Sequence, residues 1–221
     1  FLKGEPLKDK SSLFEGIDTS WNRVKGGKPI GELITTIVNQ YDFKNPSASI
    51  PNLVKAYTMI QSLDENHWKK VKSEEIKLII SACSGLYLEA VSNTQEVTPG
   101  SVVKLSLESI NRSSTVMQLV SVTTLPEQKT TVFNTDLKNN SAQNSTIDLQ
   151  LPQSVNYTQP YWLKEKGTIG LYTVEDQKNI GIPDIIREAK VIFNVKINGI
   201  EIPFERTIVY KYNDDVKGEM Y

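Results

Sequence analysis

Near Leu86 the apolar residues stop recurring every three or four positions and begin to recur at every second one. The first spacing lines one face of a helix and the second lines one face of a strand, so no single element type can satisfy both. The expected fold class is α+β: an N-terminal helical segment followed by an immunoglobulin-like antiparallel β-sandwich.

Residues 1–85 read as an irregular lead-in followed by a helical linker or docking segment. Gly4, Pro6, Gly16, Gly26 and Gly27 punctuate the lead-in, and Lys3, Lys8 and Lys10 keep its start in water. Leu13, Phe14, Ile17 and Trp21 are apolar residues in a loop, which implies docking on another surface. Pro29 suits a first helical turn, and Ile30, Leu33, Ile34, Ile37, Val38 and Tyr41 form a stripe that Asn45-Pro46 breaks. A second stripe runs through Ile50, Leu53, Val54, Tyr57, Ile60 and Leu63. Asp64 would cap a short turn through His67 and Trp68. Ser73 is expected to cap a third helix, with Glu74 and Glu75 in its first turn, Ile76, Ile79, Ile80 and Cys83 on its apolar face and Gly85 near its end.

Residues 86–221 read as the sandwich. After a Thr98-Pro99-Gly100 turn, Val103, Leu105 and Leu107 alternate with polar partners. Met117, Leu119 and Val120-Ser121-Val122 mark another strand. Ile147, Leu149 and Leu151 mark a third, and Val191, Phe193, Val195 and Ile197 a fourth that ends at an Asn198-Gly199 hairpin turn. The return strand spans Ile200 to Tyr212 with Ile202, Phe204, Ile208 and Tyr210 on one face and Pro203 at an edge or bulge. Asn134 to Thr146 reads as a solvated loop or weak hairpin.

The charge balance narrows the partners. Lys and Arg number 25 against 26 Asp and Glu, a net charge of −1, so no long-range field attracts nucleic acid or an anionic membrane. No apolar run approaches the roughly 20 residues that span a bilayer, so membrane insertion is not expected. Cys83 is the sole cysteine, which excludes an intrachain disulfide without fixing the compartment; the expected location is exported, periplasmic or extracellular. The chain starts at Phe1 and stops at Tyr221 inside a strand-like segment, and a piece of something longer is expected.

Catalytic chemistry is hard to find. A zinc or non-haem iron site needs several converging ligands, and His67 is the one histidine. Cys83 lies on an apolar helix face without an activating base. Glu175-Asp176 and Asp214-Asp215 are adjacent pairs, and neighbours in a strand point to opposite faces rather than to one substrate. No catalytic residue, metal ligand or cofactor is therefore assigned to this chain. Asn111, Asn139, Asn144 and Asn156 each begin an Asn-x-Ser/Thr triplet, a weak modification signal. The ligand-binding candidates are Tyr161, Trp162 and Tyr172, aromatic residues in a connection where Gly, Asn and Ser would suffice. Flat rings there either stack on a sugar or, as the preferred reading of Trp162, close the end of the core while Pro160 stiffens the loop.

Several segments, in order, resemble the C-terminal half of long bacterial LmbE-like (PIG-L-type) deacetylases. They are Ile79-Ile80-Ser81-Ala82-Cys83-Ser84-Gly85-Leu86-Tyr87-Leu88-Glu89-Ala90, Pro99-Gly100, Gln159-Pro160-Tyr161-Trp162-Leu163, Tyr172-Thr173-Val174-Glu175-Asp176-Gln177 and Ile180-Gly181-Ile182-Pro183. Phe204-Glu205-Arg206, Tyr210-Lys211-Tyr212 and Val216-Lys217-Gly218-Glu219 continue the likeness, and the stretch from Leu13 to Val24 resembles the lead into the same region. The sandwich is also similar to the accessory β-sandwich beside some α-galactosidase catalytic domains. The resemblance implies a Rossmann-like catalytic domain elsewhere in the parent chain, binding zinc through a His-Pro-Asp-Asp motif and a later histidine and deacetylating N-acetylglucosamine-type sugars. That motif does not occur here, so no family catalytic residue carries over to any position. The expected role is a non-catalytic accessory fragment that spaces or docks the missing catalytic domain near a glycan. The alternative is a stand-alone carbohydrate- or protein-binding module of an exported bacterial protein.

Overall fold

The computed structural model describes residues 14, 16–64, 67–183, 185 and 187–221. Leu13 and the residues named at positions 3 to 10 lie outside these. The chain is α+β, with helices first and largely antiparallel sheets after them, and it divides into two compact units, Phe1–Cys83 and Ser84–Tyr221.

The first unit holds α1 (Lys28–Asn39), α2 (Ile50–Gln61) and most of α3 (His67–Ser84). Its core follows the α2 stripe completely: Ile50, Leu53, Val54, Tyr57, Ile60 and the following Leu63 are all buried. Ile30 and Ile37 of α1 and Ile76 and Ile80 of α3 join the buried set. A 3-10 turn at Trp21–Arg23 lies against α1, where a Cβ on Gly27 would stand 2.3 Å from the Trp21 carbonyl oxygen. Only glycine permits that approach, so Gly27 fixes how the lead-in meets the helix.

Three expectations need correction here. Ser73 does not cap α3; it lies inside the helix, buried, and its hydroxyl accepts a 2.7 Å hydrogen bond from the Gln61 side chain. The helix starts earlier because Lys and Glu sustain it, with Lys72–Glu75 and Lys77–Glu74 pairs, both at 2.7 Å, one turn apart. Val38, Tyr41 and Ile79, expected on apolar faces, are exposed, as are Phe43 and Leu78.

The second unit contains two four-stranded sheets and a hairpin. The first sheet has the order β5 (Gln143–Gln150), β2 (Val102–Ile110), β1 (Tyr87–Ser92), β8 (Val209–Tyr210). The second has the order β4 (Lys129–Asp136), β3 (Met117–Leu125), β6 (Lys190–Ile197), β7 (Ile200–Thr207). β9 (Tyr212–Asp214) and β10 (Gly218–Met220) form the hairpin. Among these strands every pairing is antiparallel except the short β1–β8 contact.

Each sheet buries one face. Val103, Leu105, Leu107, Ile147 and Leu149 point inward from the first, and Val191, Phe193, Val195, Ile197, Ile202 and Phe204 from the second. Asn198 and Gly199 both take positive φ, 48° and 85°, as a two-residue hairpin with the right-handed twist of its strands requires. Pro203 sits on β7, an edge strand, where its missing N–H costs no ladder bond.

Two strand boundaries also differ from expectation. The polar stretch from Asn134 to Thr146 is mostly strand, the end of β4 and the start of β5, joined by a short turn anchored on buried Leu137. The single return strand expected over Ile200 to Tyr212 breaks at Ile208, where the chain leaves the second sheet and joins the first as β8.

Candidate functional site

The connection between β5 and β6 carries the three aromatic candidates. Tyr161 and Trp162 open a 3-10 turn, Tyr161–Leu163, after Pro160, with ring centroids 4.9 Å apart and planes at 88°. The Tyr161 hydroxyl accepts a 3.1 Å hydrogen bond from the Gly181 backbone N–H, and Lys164 pairs with Glu175 at 3.2 Å. These two links fold the connection back on itself, so Gln159–Leu163, Tyr172–Gln177 and Ile180–Pro183 belong to one local structure.

Trp162 is half-buried rather than a core residue, and the 3-10 turn contains no buried side chain. Tyr172 is 67 % exposed and stands beside a tight turn in which Thr168 and Leu171 exchange backbone hydrogen bonds. It is not part of the Tyr161–Trp162 pair. Leu163, Ile169, Leu171 and Ile180 are exposed along the same connection. An apolar set of this kind, held by polar links on a long connection, suits contact with another surface.

A second feature, absent from the sequence reading, lies on the outer face of the first sheet. Register places Glu89 opposite Glu108 and Glu108 opposite Asn144, giving one row across β1, β2 and β5. The next row is Val91, Ser106 and Thr146. Together these residues line a shallow groove of ≈ 460 Å³. Carboxylates directly opposite each other repel. Lys211 relieves one side: its ammonium lies 2.8 Å from Glu89 and 3.2 Å from Glu219 of the hairpin, and 4.9 Å from the Tyr221 ring centroid. The Glu89 carboxylate beside it, with help from Glu219, raises the Lys211 pKa against an opposing burial effect. Burial, then the neighbouring Glu89, raises the pKa of Tyr87. Among the described residues Glu108 has no cation within ion-pair range.

The other singled-out residues are structural. Asn111 is 1 % exposed; its side-chain N–H groups donate to the carbonyls of Thr115 (2.8 Å) and Leu137 (3.1 Å), and its side-chain oxygen accepts from the backbone N–H and hydroxyl of Ser113. A side chain so enclosed is no glycan acceptor, whereas Asn139, Asn144 and Asn156 are exposed. His67 begins α3 edge-on to Trp68, whose ring also carries the Arg23 guanidinium at 3.8 Å. Cys83 is half-buried and burial raises its thiol pKa, the opposite of nucleophile activation. Glu175 pairs with Lys164, and Asp176 caps a 3-10 turn at Gln177–Asn179. Asp214 accepts from the backbone N–H groups of Val216 and Lys217 in the β9–β10 turn, and these bonds lower its pKa. No described helix is long and apolar enough to cross a membrane.

No protein-family model matches this chain, and no curated protein matches it. Among solved structures, one similar chain is the Pseudomonas fluorescens alkylpurine DNA glycosylase AlkC bound to DNA containing an abasic site analog. The identity is 8%, the TM-score is 0.24, and the match covers 77% of this chain and 48% of that one. The chain thus spans about half the length of that protein, and a likeness at this level bears on neither fold family nor activity.

Proposed function

We propose that this chain is a non-catalytic accessory region, a helical segment plus an immunoglobulin-like sandwich, of a larger zinc-dependent N-acetylglucosaminyl deacetylase of the LmbE (PIG-L) type. Its role is to dock and space the catalytic domain. The observation that carries this reading is the β5–β6 connection. Three separate segments with the family resemblance fold into one local structure, tied by the Tyr161–Gly181 hydrogen bond and the Lys164–Glu175 pair, and they hold Leu163, Ile169, Leu171, Tyr172 and Ile180 outward. Side chains of that size facing water are costly unless another surface covers them.

The strand order supports the immunoglobulin-like part. The strands divide as β5-β2-β1 and β4-β3-β6-β7, and β8 crosses back after β7 to pair in parallel with β1. Two sheets linked in this way share a core built from alternating inward residues.

The resemblance assigns the zinc to a His-Pro-Asp-Asp motif that this sequence does not contain. Among the described residues no three His, Cys, Asp or Glu side chains converge, and His67 is engaged with Trp68. In this reading the metal belongs to the catalytic domain, and no step of the reaction falls to these residues.

Hydrogen exchange tests the docking role. The backbone amides of residues 163–181 are expected to exchange more slowly in the full reading frame than in the 221-residue chain alone. Equal exchange in the two would remove the docking surface.

A further inference from the structure

The outer face of the first sheet has a feature that the docking role leaves unused. The groove lies on β1, β2 and β5, and its chemistry is independent of the β5–β6 connection. We infer that it is a saccharide-binding site, with Glu108 and Asn144 as its central contacts.

The register sets the array. Glu89, Glu108 and Asn144 form one row across the three strands, and Val91, Ser106 and Thr146 form the next. Side chains opposite each other on neighbouring strands stand about 5 Å apart at Cβ, so one ligand can touch two of them at once. The first row supplies carboxylate acceptors and an amide that both donates and accepts; the second supplies two hydroxyls and one apolar side chain. Hydroxyl-rich ligands need that mixture, and Val91 gives the C–H face of a ring an apolar contact.

Lys211 makes the two carboxylates unequal. Glu89 is held by the ammonium at 2.8 Å, while Glu108, directly opposite, has no ion-pair partner among the described residues. A sheet built only for stability would not leave a carboxylate facing another in this way, because like charges across a ladder destabilise it. Here the held carboxylate fixes the geometry and the other is free to accept from a ligand hydroxyl. Such a charge-assisted bond is about twice as strong as a neutral one. The two rows line one shallow, open groove of ≈ 460 Å³.

The test is amide chemical-shift mapping on the 221-residue chain with millimolar chitotriose, and separately with maltotriose. Shifts at Ser106–Glu108 and Asn144–Thr146 with either sugar support the site. Glu108→Gln is expected to weaken binding about tenfold, the loss of one charge-assisted hydrogen bond. Asn144→Ala is expected to weaken it as well with its thermal midpoint unchanged, because the position is exposed on the outer face, and Glu108→Gln, which removes one of two facing like charges, is expected not to lower the midpoint. Absence of shifts with both sugars, shifts confined to Tyr161–Leu163 and Tyr172, or full binding by the double variant would each overturn the inference. None of these outcomes bears on the docking role, which hydrogen exchange reads separately.

Discussion

Glu89 and Glu108 face each other across the β1–β2 ladder, and Lys211, arriving from the end of the chain, reaches only Glu89. One lysine thus fastens the C-terminal hairpin to the first sheet and neutralises half of an acidic pair.

Replacing that lysine tests the coupling. Lys211→Met should lower stability by about 1–2 kcal/mol, the range of a partly enclosed ion pair plus the uncovered repulsion. Adding Glu108→Gln should restore part of the loss, because one of the two like charges is then gone. Thermal melts of the single and double variants read the coupling directly. Strict additivity would mean that Lys211 and Glu108 act independently.

The same clasp has a defined pH dependence. The Lys211 pKa is raised, first by Glu89, so its contribution is fully present below the ordinary lysine value, about 10.4, and is lost as pH rises through the folded value. The Glu219 pKa is lowered, first by Lys211, so its contribution is present above the ordinary glutamate value, about 4.3, and is lost as pH falls through the lower folded value. The hairpin should therefore stay fastened across neutral pH and loosen in acid. Protection of the Tyr212–Asp214 and Gly218–Met220 amides against pH checks this, and a loosening between pH 6 and 8, which would be roughly the histidine range, would contradict it.

Asn111 ties the β2–β3 turn to Leu137, and its backbone carbonyl accepts a 2.7 Å bond from the Asn140 N–H. Asn111→Ala leaves two carbonyls and the Ser113 donors without their partner in a buried place. The expected cost is about 3 kcal/mol, measured by urea unfolding. A change of a few tenths of that would show that water replaces the lost bonds.

Trp162 is expected to contribute modestly. Its ring is half-buried against Tyr161 rather than enclosed in the core. Trp162→Ala should cost about 1–2 kcal/mol, below the roughly 3–5 kcal/mol of a fully buried aromatic residue. A loss at the upper figure would mean that the residue closes the core after all.

The elements legible in the sequence were those whose burial follows a strict period. Every apolar position of the α2 stripe is buried, and Val191, Phe193, Val195 and Ile197 of β6 have no exposed surface. β4 gave no such signal because none of its side chains is buried; as an edge strand it is held by backbone pairing with β3. The Ser73-Glu74-Glu75 run imitates a capped helix start, yet a tertiary bond from Gln61 takes up the hydroxyl inside α3. The aromatic residues of the β5–β6 connection could be picked out locally. The Glu89–Glu108–Asn144 row could not, because those residues are distant in sequence and only strand register brings them into line.

The proposed accessory role requires a sugar deacetylase whose catalytic residues lie upstream of these two units. Sequencing the source gene on the 5′ side of the Phe1 codon decides whether they do. The expected result is a continuous reading frame with a His-Pro-Asp-Asp motif and a later histidine in an α/β region. A complete reading frame without that motif would contradict it.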